Sequence, residues 1–173
     1  MVFQVANAAH RRACYRLLWI RTIQPPEGYA SDVMIEIAAL FDQYEWAAEM
    51  VEPGIWRASF TTERDMDYDL YVMAAEGAVR FAVTPFVTRP DPACEGRVSA
   101  LLLKLNPQIP YAYFGVDGDG DIMLLTDLPA SLLNFEGFAA VVDALAQVTN
   151  ALAYEIGRVA HEPGYHSALL PDA

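Results

Sequence analysis

The stretch IWRASFTTERDMDYDLYVMAAEGAVRFAVTPFV, residues 55–87, contains three runs rich in β-branched and aromatic residues. The runs are 55–61, 68–74 and 78–87, and short charged or glycine-containing segments separate them. Runs of this composition and length are typical of β-strands, and such short turns connect antiparallel neighbours. The stretch therefore predicts a three-stranded antiparallel meander.

Helical patterns lie on both sides of this meander. Residues 31–50 carry apolar side chains at helical spacing and are stopped by EPG at 52–54, and residues 89–106 repeat the pattern with Pro92 near the start. Two more strand-like runs, YAYFGV and DIMLLT, precede a long third helix that begins near Asn134. The predicted order is α-β-β-β-α-β-β-α, with helices packed on an antiparallel sheet, which is an α+β fold.

The segment GVDGDGDIML, residues 115–124, resembles a calcium loop, a phosphate-binding loop or a turn. An EF-hand loop that starts at Asp117 needs glycine at its sixth position and glutamate at its twelfth, where this chain has Ile122 and Leu128. Three carboxylates would repel a phosphate. The sequence therefore predicts a β-hairpin with positive-φ residues at its tip, with weak calcium binding as the remaining alternative.

Length and composition favour one soluble domain. The chain has 173 residues, of which 54% are apolar, and no run approaches the roughly 18 apolar residues of a membrane span. The first residues lack the pattern of a secretion signal, so a cytoplasmic protein is predicted. Cys14 and Cys94 lie far apart without a CxxC pair, which indicates neither a zinc site nor a disulfide framework.

Charge divides the chain unevenly. Residues 1–30 hold four arginines against one glutamate, a net charge of +3, whereas the remainder holds seven basic and 22 acidic side chains, a net charge of −15. An acidic domain repels phosphate backbones, so direct nucleic-acid binding is not expected. It would attract a cationic partner, although acidity also keeps an apolar-rich protein soluble, and both interpretations stand.

Three segments are predicted from these patterns. Residues 1–30 form a basic N-terminal extension with a short helix at 8–23, which ends before QPPEGYAS. Residues 31–157 form the domain, and residues 158–173 form an irregular tail. The extension would either fold against the domain or contribute little to it.

No catalytic pattern is present in the sequence. The HExxH, GxSxG, Walker and dinucleotide-binding patterns are absent. His161, Glu162 and His166 form a loose metal-like cluster for which incidental spacing is the simpler explanation, and the acids at 63–69 are typical of a solvated hairpin tip. We expect no enzyme activity, no cofactor and no metal.

Binding is suggested by apolar side chains on both faces of the predicted strands. Tyr68, Leu70 and Val72 share one face, and the other presents Tyr71, Met73, Ala82 and Phe86 beside Arg80 and Asp69. Apolar groups on both faces mean that helices cover both sides or that one side meets a partner. The candidate contact residues, each of which could instead be core, are Trp46, Trp56, Tyr71, Met73 and Phe86.

The segment SALLLKLNPQIPYAYFGVDGDGDIMLLTDLPASLLNFEGFAAVVDALAQVTNAL, residues 99–152, resembles the C-terminal part of YbjN-like bacterial proteins. The helix and meander at 31–87 are similar in order and spacing, so the resemblance covers about 31–157. It implies a fold like that of type III secretion chaperones, which are small acidic homodimers that bind extended segments of client proteins without ATP. It transfers no catalytic residues.

These observations predict a cytoplasmic, dimeric, non-enzymatic chaperone-like or adaptor module that holds a segment of a client protein. A basic client segment would suit the acidic domain, and nucleic-acid-handling proteins are one source of such segments. The alternative is a regulatory module that senses a small ligand in a pocket between sheet and helices. A closed apolar cavity with converging polar groups would favour the alternative, and an open apolar patch would favour the adaptor.

Overall fold

The computed structural model describes residues 30–75 and 77–169 of the chain. The predictions for the basic N-terminal segment concern residues outside that part. The described part contains three α-helices and six β-strands, which are α1 (Ala30–Gln43), β1 (Glu49–Glu52), β2 (Ile55–Thr61), β3 (Asp67–Ala75), β4 (Ala78–Val87), α2 (Glu95–Leu105), β5 (Tyr113–Val116), β6 (Ile122–Pro129) and α3 (Phe135–His161).

All six strands form one antiparallel sheet in the order β1-β2-β3-β4-β6-β5. The predicted α+β class and the predicted order of helices and strands are confirmed. The structure adds β1, a four-residue edge strand. The last two strands do not follow chain order in the sheet. The later strand, β6, pairs with β4, and β5 therefore lies at the second edge.

The helix predicted to run to Met50 ends at Gln43. The N–H of Trp46 donates to the carbonyl of Phe41, and Glu45 has a φ of 58°. This is the Schellman pattern, in which the chain leaves a helix through one left-handed residue. Glycine usually occupies that position, and glutamate is a good helix former, so no residue here signals the end of the helix.

One core fills the space between the sheet and the helices. Buried side chains from all three helices meet the inward side of the strands. The ring of Phe138 on α3 is fully buried, with ring centroids 5.0 Å from Phe41 and 5.7 Å from Phe81. The apolar stripe predicted for α2 is buried, and it consists of Val98, Leu101, Leu102 and Leu105.

The starts of α2 and α3 agree in part with the sequence. The third helix begins next to Asn134, as predicted, and the Asn134 side chain caps it by accepting from the N–H of Gly137 at 2.9 Å. In contrast, α2 begins at Glu95, later than predicted. Pro92 lies in a turn, and the carbonyl of Asp91 accepts from the N–H groups of Cys94 and Glu95.

The chain beyond residue 157 is partly helical, since α3 continues to His161. The described segment after it has no helix or strand, but Tyr165 and Leu169 pack against the core. The guanidinium of Arg97 on α2 donates to the carbonyls of Val159, Glu162 and Pro163 at 3.0–3.3 Å. These bonds satisfy carbonyls at the C-terminal end of α3, where a positive charge is favourable.

The aspartate-glycine segment forms the predicted β5–β6 hairpin. The N–H of Gly120 donates to the carbonyl of Asp117, and Gly120 alone in this loop has a positive φ, of 90°. The Asp117 carboxylate accepts from the N–H groups of Asp119 and Asp121, both at 2.9 Å. Hydrogen bonding within the turn thus accounts for this aspartate without a bound ion.

Candidate protein-binding surface

The sheet has a second apolar face, opposite the one on which the helices pack. We call it the outer face and define it by its cluster of buried side chains, Ile55, Tyr71, Met73, Ala82, Met123 and Leu125. These residues alternate along their strands with members of the main core, as the pleat requires. No described helix contributes a residue to this cluster, whereas all three contribute to the core.

Strand register aligns these side chains into rows. One row crosses all six strands of the sheet, in the order Glu49, Arg57, Tyr71, Ala82, Leu125 and Tyr113. The neighbouring row contains Ile55, Met73, Arg80 and Asp127. An apolar centre is therefore flanked by charged and phenolic groups, which is the pattern of a protein-binding surface with an apolar middle and a polar rim.

One rim is an ion pair between Arg80 and Asp127. The guanidinium donates twice to the carboxylate, at 2.6 and 2.9 Å, and the Tyr113 hydroxyl donates to the same carboxylate at 2.7 Å. Partial burial raises the pKa of Asp127, but the hydrogen bonds from Arg80 and Tyr113 outweigh it, and the pKa lies below its ordinary value. The pKa of Tyr113 is raised by burial and by the neighbouring carboxylate.

The opposite rim is centred on Arg57. It pairs with Glu49 on β1, and it lies 3.9 Å from Asp69, whose carboxylate accepts from the Ser59 hydroxyl at 2.6 Å. Burial lowers the pKa of Arg57, but its acidic neighbours raise it further, so the guanidinium stays charged. Both arginines of the outer face are therefore neutralised by carboxylates within the sheet.

The pair at Asp127 makes stability depend on pH. A carboxyl group whose folded pKa is depressed stabilises the fold above its unfolded pKa, near 4, and that contribution is lost as pH falls through the folded value. We expect Asp127→Asn to lower the free energy of unfolding by roughly 1 kcal/mol at neutral pH, since the pair is partly exposed and screened. Urea titrations should show this difference shrinking towards zero in strong acid.

The control for that substitution is Asp119→Asn in the exposed β5–β6 turn, which should change stability by less than about 0.5 kcal/mol. An Asp127→Asn effect that is the same at every pH would contradict a role for the charge.

Two of the five predicted contact residues lie on the outer face, and the other three lie in or against the core. Tyr71 and Met73 lie on the outer face, 7% and 3% exposed. Trp46 is in the core, and its indole N–H donates to the carbonyl of Ser59 at 3.1 Å. Trp56 is partly buried against the core, and its indole nitrogen has no hydrogen-bond partner among the described residues. Phe86 is a core residue that is 1% exposed.

The placement of Phe86 beside Tyr71 and Met73 on one face was wrong. Pairing between β4 and β6 is irregular between Val83 and Val87. Four residue steps on β4, from Val83 to Val87, stand opposite two on β6, from Leu124 to Ile122, so the regular alternation of side chains is interrupted between them. The ring of Phe86 consequently packs against Phe114, with centroids 5.2 Å apart, on the helix side.

Sequence reasoning missed the part of the outer face that lies on β6. Met123, Leu125 and Asp127 alternate along DIMLLTDL, a signal that was present in the sequence. Their position beside Ala82 and Arg80 depends on the pairing of β6 with β4, which a local pattern does not reveal.

Comparison with known proteins identifies the fold. A chain of the heterodimeric ExoU–SpcU complex from the type III secretion system of Pseudomonas aeruginosa matches with a TM-score of 0.51 and 17% identity, over 68% of this chain and 95% of that one. A chain of the ExsC–ExsE complex matches with a TM-score of 0.50 and 15% identity, over 72% and 96%. The chain has a type III secretion chaperone-like fold. No family model and no curated protein matches it.

In this chaperone-like fold both edges of the sheet are open to further pairing within the described part of the chain. All four residues of β1 are exposed, including Met50 at 51%. At the other edge Val116 of β5 is 60% exposed. An extended segment could add to either edge as a further strand, with backbone hydrogen bonds supplying affinity.

A groove of about 420 Å³ lies between the β3–β4 end of the sheet and α3. Its lining includes Tyr68, Phe86, Tyr154, Arg158 and His161, and it is open to solvent. Arg158 lies 4.0 Å from the ring centroid of Tyr165 and pairs with Glu162 at 2.6 Å, so its charge is already engaged. An open groove with paired polar groups does not have the enclosed form of a small-ligand pocket.

Neither a metal site nor a membrane span is found among the described residues. No group of three or more histidine, cysteine, aspartate or glutamate side chains there is arranged to hold a metal ion. His161 instead lies 3.2 Å from the Thr88 hydroxyl and 3.8 Å from the Asp91 carboxylate. Nor is any helix between residues 30 and 169 long and apolar enough to cross a membrane.

Proposed function

We propose that the protein is a non-enzymatic, cytoplasmic chaperone-like or adaptor module that holds a segment of a client protein on the outer face of its sheet. The observation that carries this proposal is the apolar row through Tyr71, Ala82 and Leu125, which runs between two charged rims on the face away from the described helices. The similar structures support it, because each is a complex of two proteins.

The binding mechanism follows from the chemistry of this face. Burying a large apolar side chain of the client stabilises a complex by roughly 1.5–3 kcal/mol. Aromatic and methionine side chains suit this task because they offer much contact area and adapt to different partners. The acidic body favours a basic client segment, including one from a nucleic-acid-handling protein, and the charge attraction weakens as salt rises.

The test compares two matched variants on an affinity column. Met73→Gln places an amide of similar length on the outer face, whereas Leu132→Gln changes a side chain that is 56% exposed elsewhere. Lysate proteins held by the wild type and by Leu132→Gln should be depleted about fivefold or more on Met73→Gln, since a contact at the centre of an interface contributes more than 1 kcal/mol. A basic client should elute early in a salt gradient.

Equal retention by both variants would contradict the outer face as the binding surface. Melting curves of the two variants establish first that both are folded at the temperature of the experiment.

We further propose a homodimer and membership of the YbjN-like group, as the resemblance across residues 31–157 implies. The exposed side of α2 offers a self-complementary contact, because Leu103 is 72% exposed beside the small residues Ser99 and Ala100. Light scattering should give twice the chain mass of 19.1 kDa for the wild type. Leu103→Glu should give the single mass, because it places like charges opposite each other across a two-fold axis; an unchanged mass would exclude this contact.

A further inference from the structure

We propose that residues 1–29 of this same chain occupy the outer face in the free protein and are displaced when a client binds. This inference rests on the proposed function, because it takes the outer face to be the client-binding surface. The identity of the segment that occupies the face is argued separately. It would make the N-terminal segment an internal substitute for the client.

The side chains of the outer face are buried. The six residues of the outer face are between 0% and 7% exposed, although their cluster contains only strand residues. Their neighbours on the same face remain accessible, with Arg57 and Asp69 side chains 39% and 35% exposed. Large side chains on a sheet face become fully buried when a further layer covers them. The described helices lie on the other side, so the covering layer must come from elsewhere.

The composition of the N-terminal segment complements that of the outer face. The segment HRRACYRLLWIRTI, residues 10–23, carries apolar and aromatic side chains together with Arg11, Arg12, Arg16 and Arg21. The described outer face offers the carboxylates of Glu49, Glu52, Asp67, Asp69 and Asp127 against the guanidinium groups of Arg57 and Arg80, an excess of three negative charges. An apolar, cationic segment thus matches an apolar face with acidic rims, just as a basic client would.

The N-terminal segment is long enough to extend across the outer face. The segment is covalently joined to α1, which begins at Ala30. Twenty-nine residues in extended form span up to about 100 Å, whereas the ten-residue strand β4 is only about 33 Å long. A tethered segment also has an effective concentration in the millimolar range, so even weak contacts keep it bound until a tighter ligand competes.

Thiol labelling of the full-length chain tests the occupant directly. Met123→Cys places a probe on the outer face, and Leu132→Cys places a control probe at an exposed site, each in a background carrying Cys14→Ser and Cys94→Ala. Each probe is combined with the native segment or with Leu17→Asp, Leu18→Asp and Ile20→Asp together. Maleimide incorporation is followed by intact mass.

We expect the Met123→Cys thiol to be protected with the native segment and to react roughly tenfold faster or more with the triple substitution, while the Leu132→Cys thiol reacts equally in both. A second variant, Arg12→Glu with Arg16→Glu, should increase labelling of the same probe to a smaller extent and with a dependence on salt. Circular dichroism of each variant confirms that the domain stays folded.

Two outcomes would overturn the inference. Fast labelling of the Met123→Cys thiol with the native segment would mean that the face is open. Equal protection with the native and the substituted segments would mean that another layer, such as a second copy, covers it. Neither outcome depends on a client, so the labelling result and the affinity-column result can fail independently.

Discussion

Phe138→Ala should lower the free energy of unfolding by about 3–5 kcal/mol, the range measured for removing a large aromatic side chain from a core. The ring is fully buried and meets Phe41 of α1 and Phe81 of β4. It therefore joins two helices to the centre of the sheet. Because domains of this kind are stable by only about 5–15 kcal/mol, the variant should unfold at a markedly lower urea concentration.

Leu132→Ala is the matched control, since it removes an apolar side chain that is 56% exposed. Its effect should stay within about 0.5 kcal/mol. A loss below about 1 kcal/mol for Phe138→Ala would be incompatible with the packing of α3 on the sheet described above.

Gly137→Ala and Gly157→Ala should change stability in opposite directions although both lie in α3. A Cβ atom at Gly137 would approach the carbonyl oxygen of Leu132 to 2.7 Å, whereas one at Gly157 meets no atom within 4 Å. Overpacking against backbone costs roughly 1–3 kcal/mol. At the open site, replacing glycine in a helix interior should stabilise by about 0.5–1 kcal/mol.

Urea denaturation of both variants under the same conditions measures the change in the free energy of unfolding for each, and so tests whether the two changes have opposite signs. Stabilisation by Gly137→Ala would show that the 3₁₀ turn at Ala130–Leu132 moves freely away from the helix. Destabilisation by Gly157→Ala would show that the groove side of α3 is more crowded than its geometry indicates.

Periodicity in the sequence was sufficient to predict most of the fold. The meander, the α2 stripe and the start of α3 near Asn134 depend on contacts close in sequence, and each was confirmed. The end of α1 was not predicted, because the residue in left-handed conformation is Glu45 rather than glycine. Pairing with β2 then draws the following residues into β1, overriding their helical propensity.

The binding surface was harder to predict than the fold, because it is assembled by pairings between distant segments. Alternation in β3 was enough to identify Tyr71 and Met73. The register irregularity after Val83 placed Phe86 on the helix side, and its signal in the sequence is Pro85, because proline inside a strand is typical of a bulge. Met123 and Leu125 join the surface only because β6 is inserted between β4 and β5.

The exposed edge strand β1 has a consequence for self-association. Unpaired edge strands are templates on which identical molecules polymerise, and Met50 and Val51 would favour this. Glu49 and Glu52 flank them, so two antiparallel copies of β1 would bring carboxylates together. The same charges attract a strand that carries lysine or arginine. Two copies of this edge strand therefore repel each other, whereas a basic strand from another protein can still pair with it.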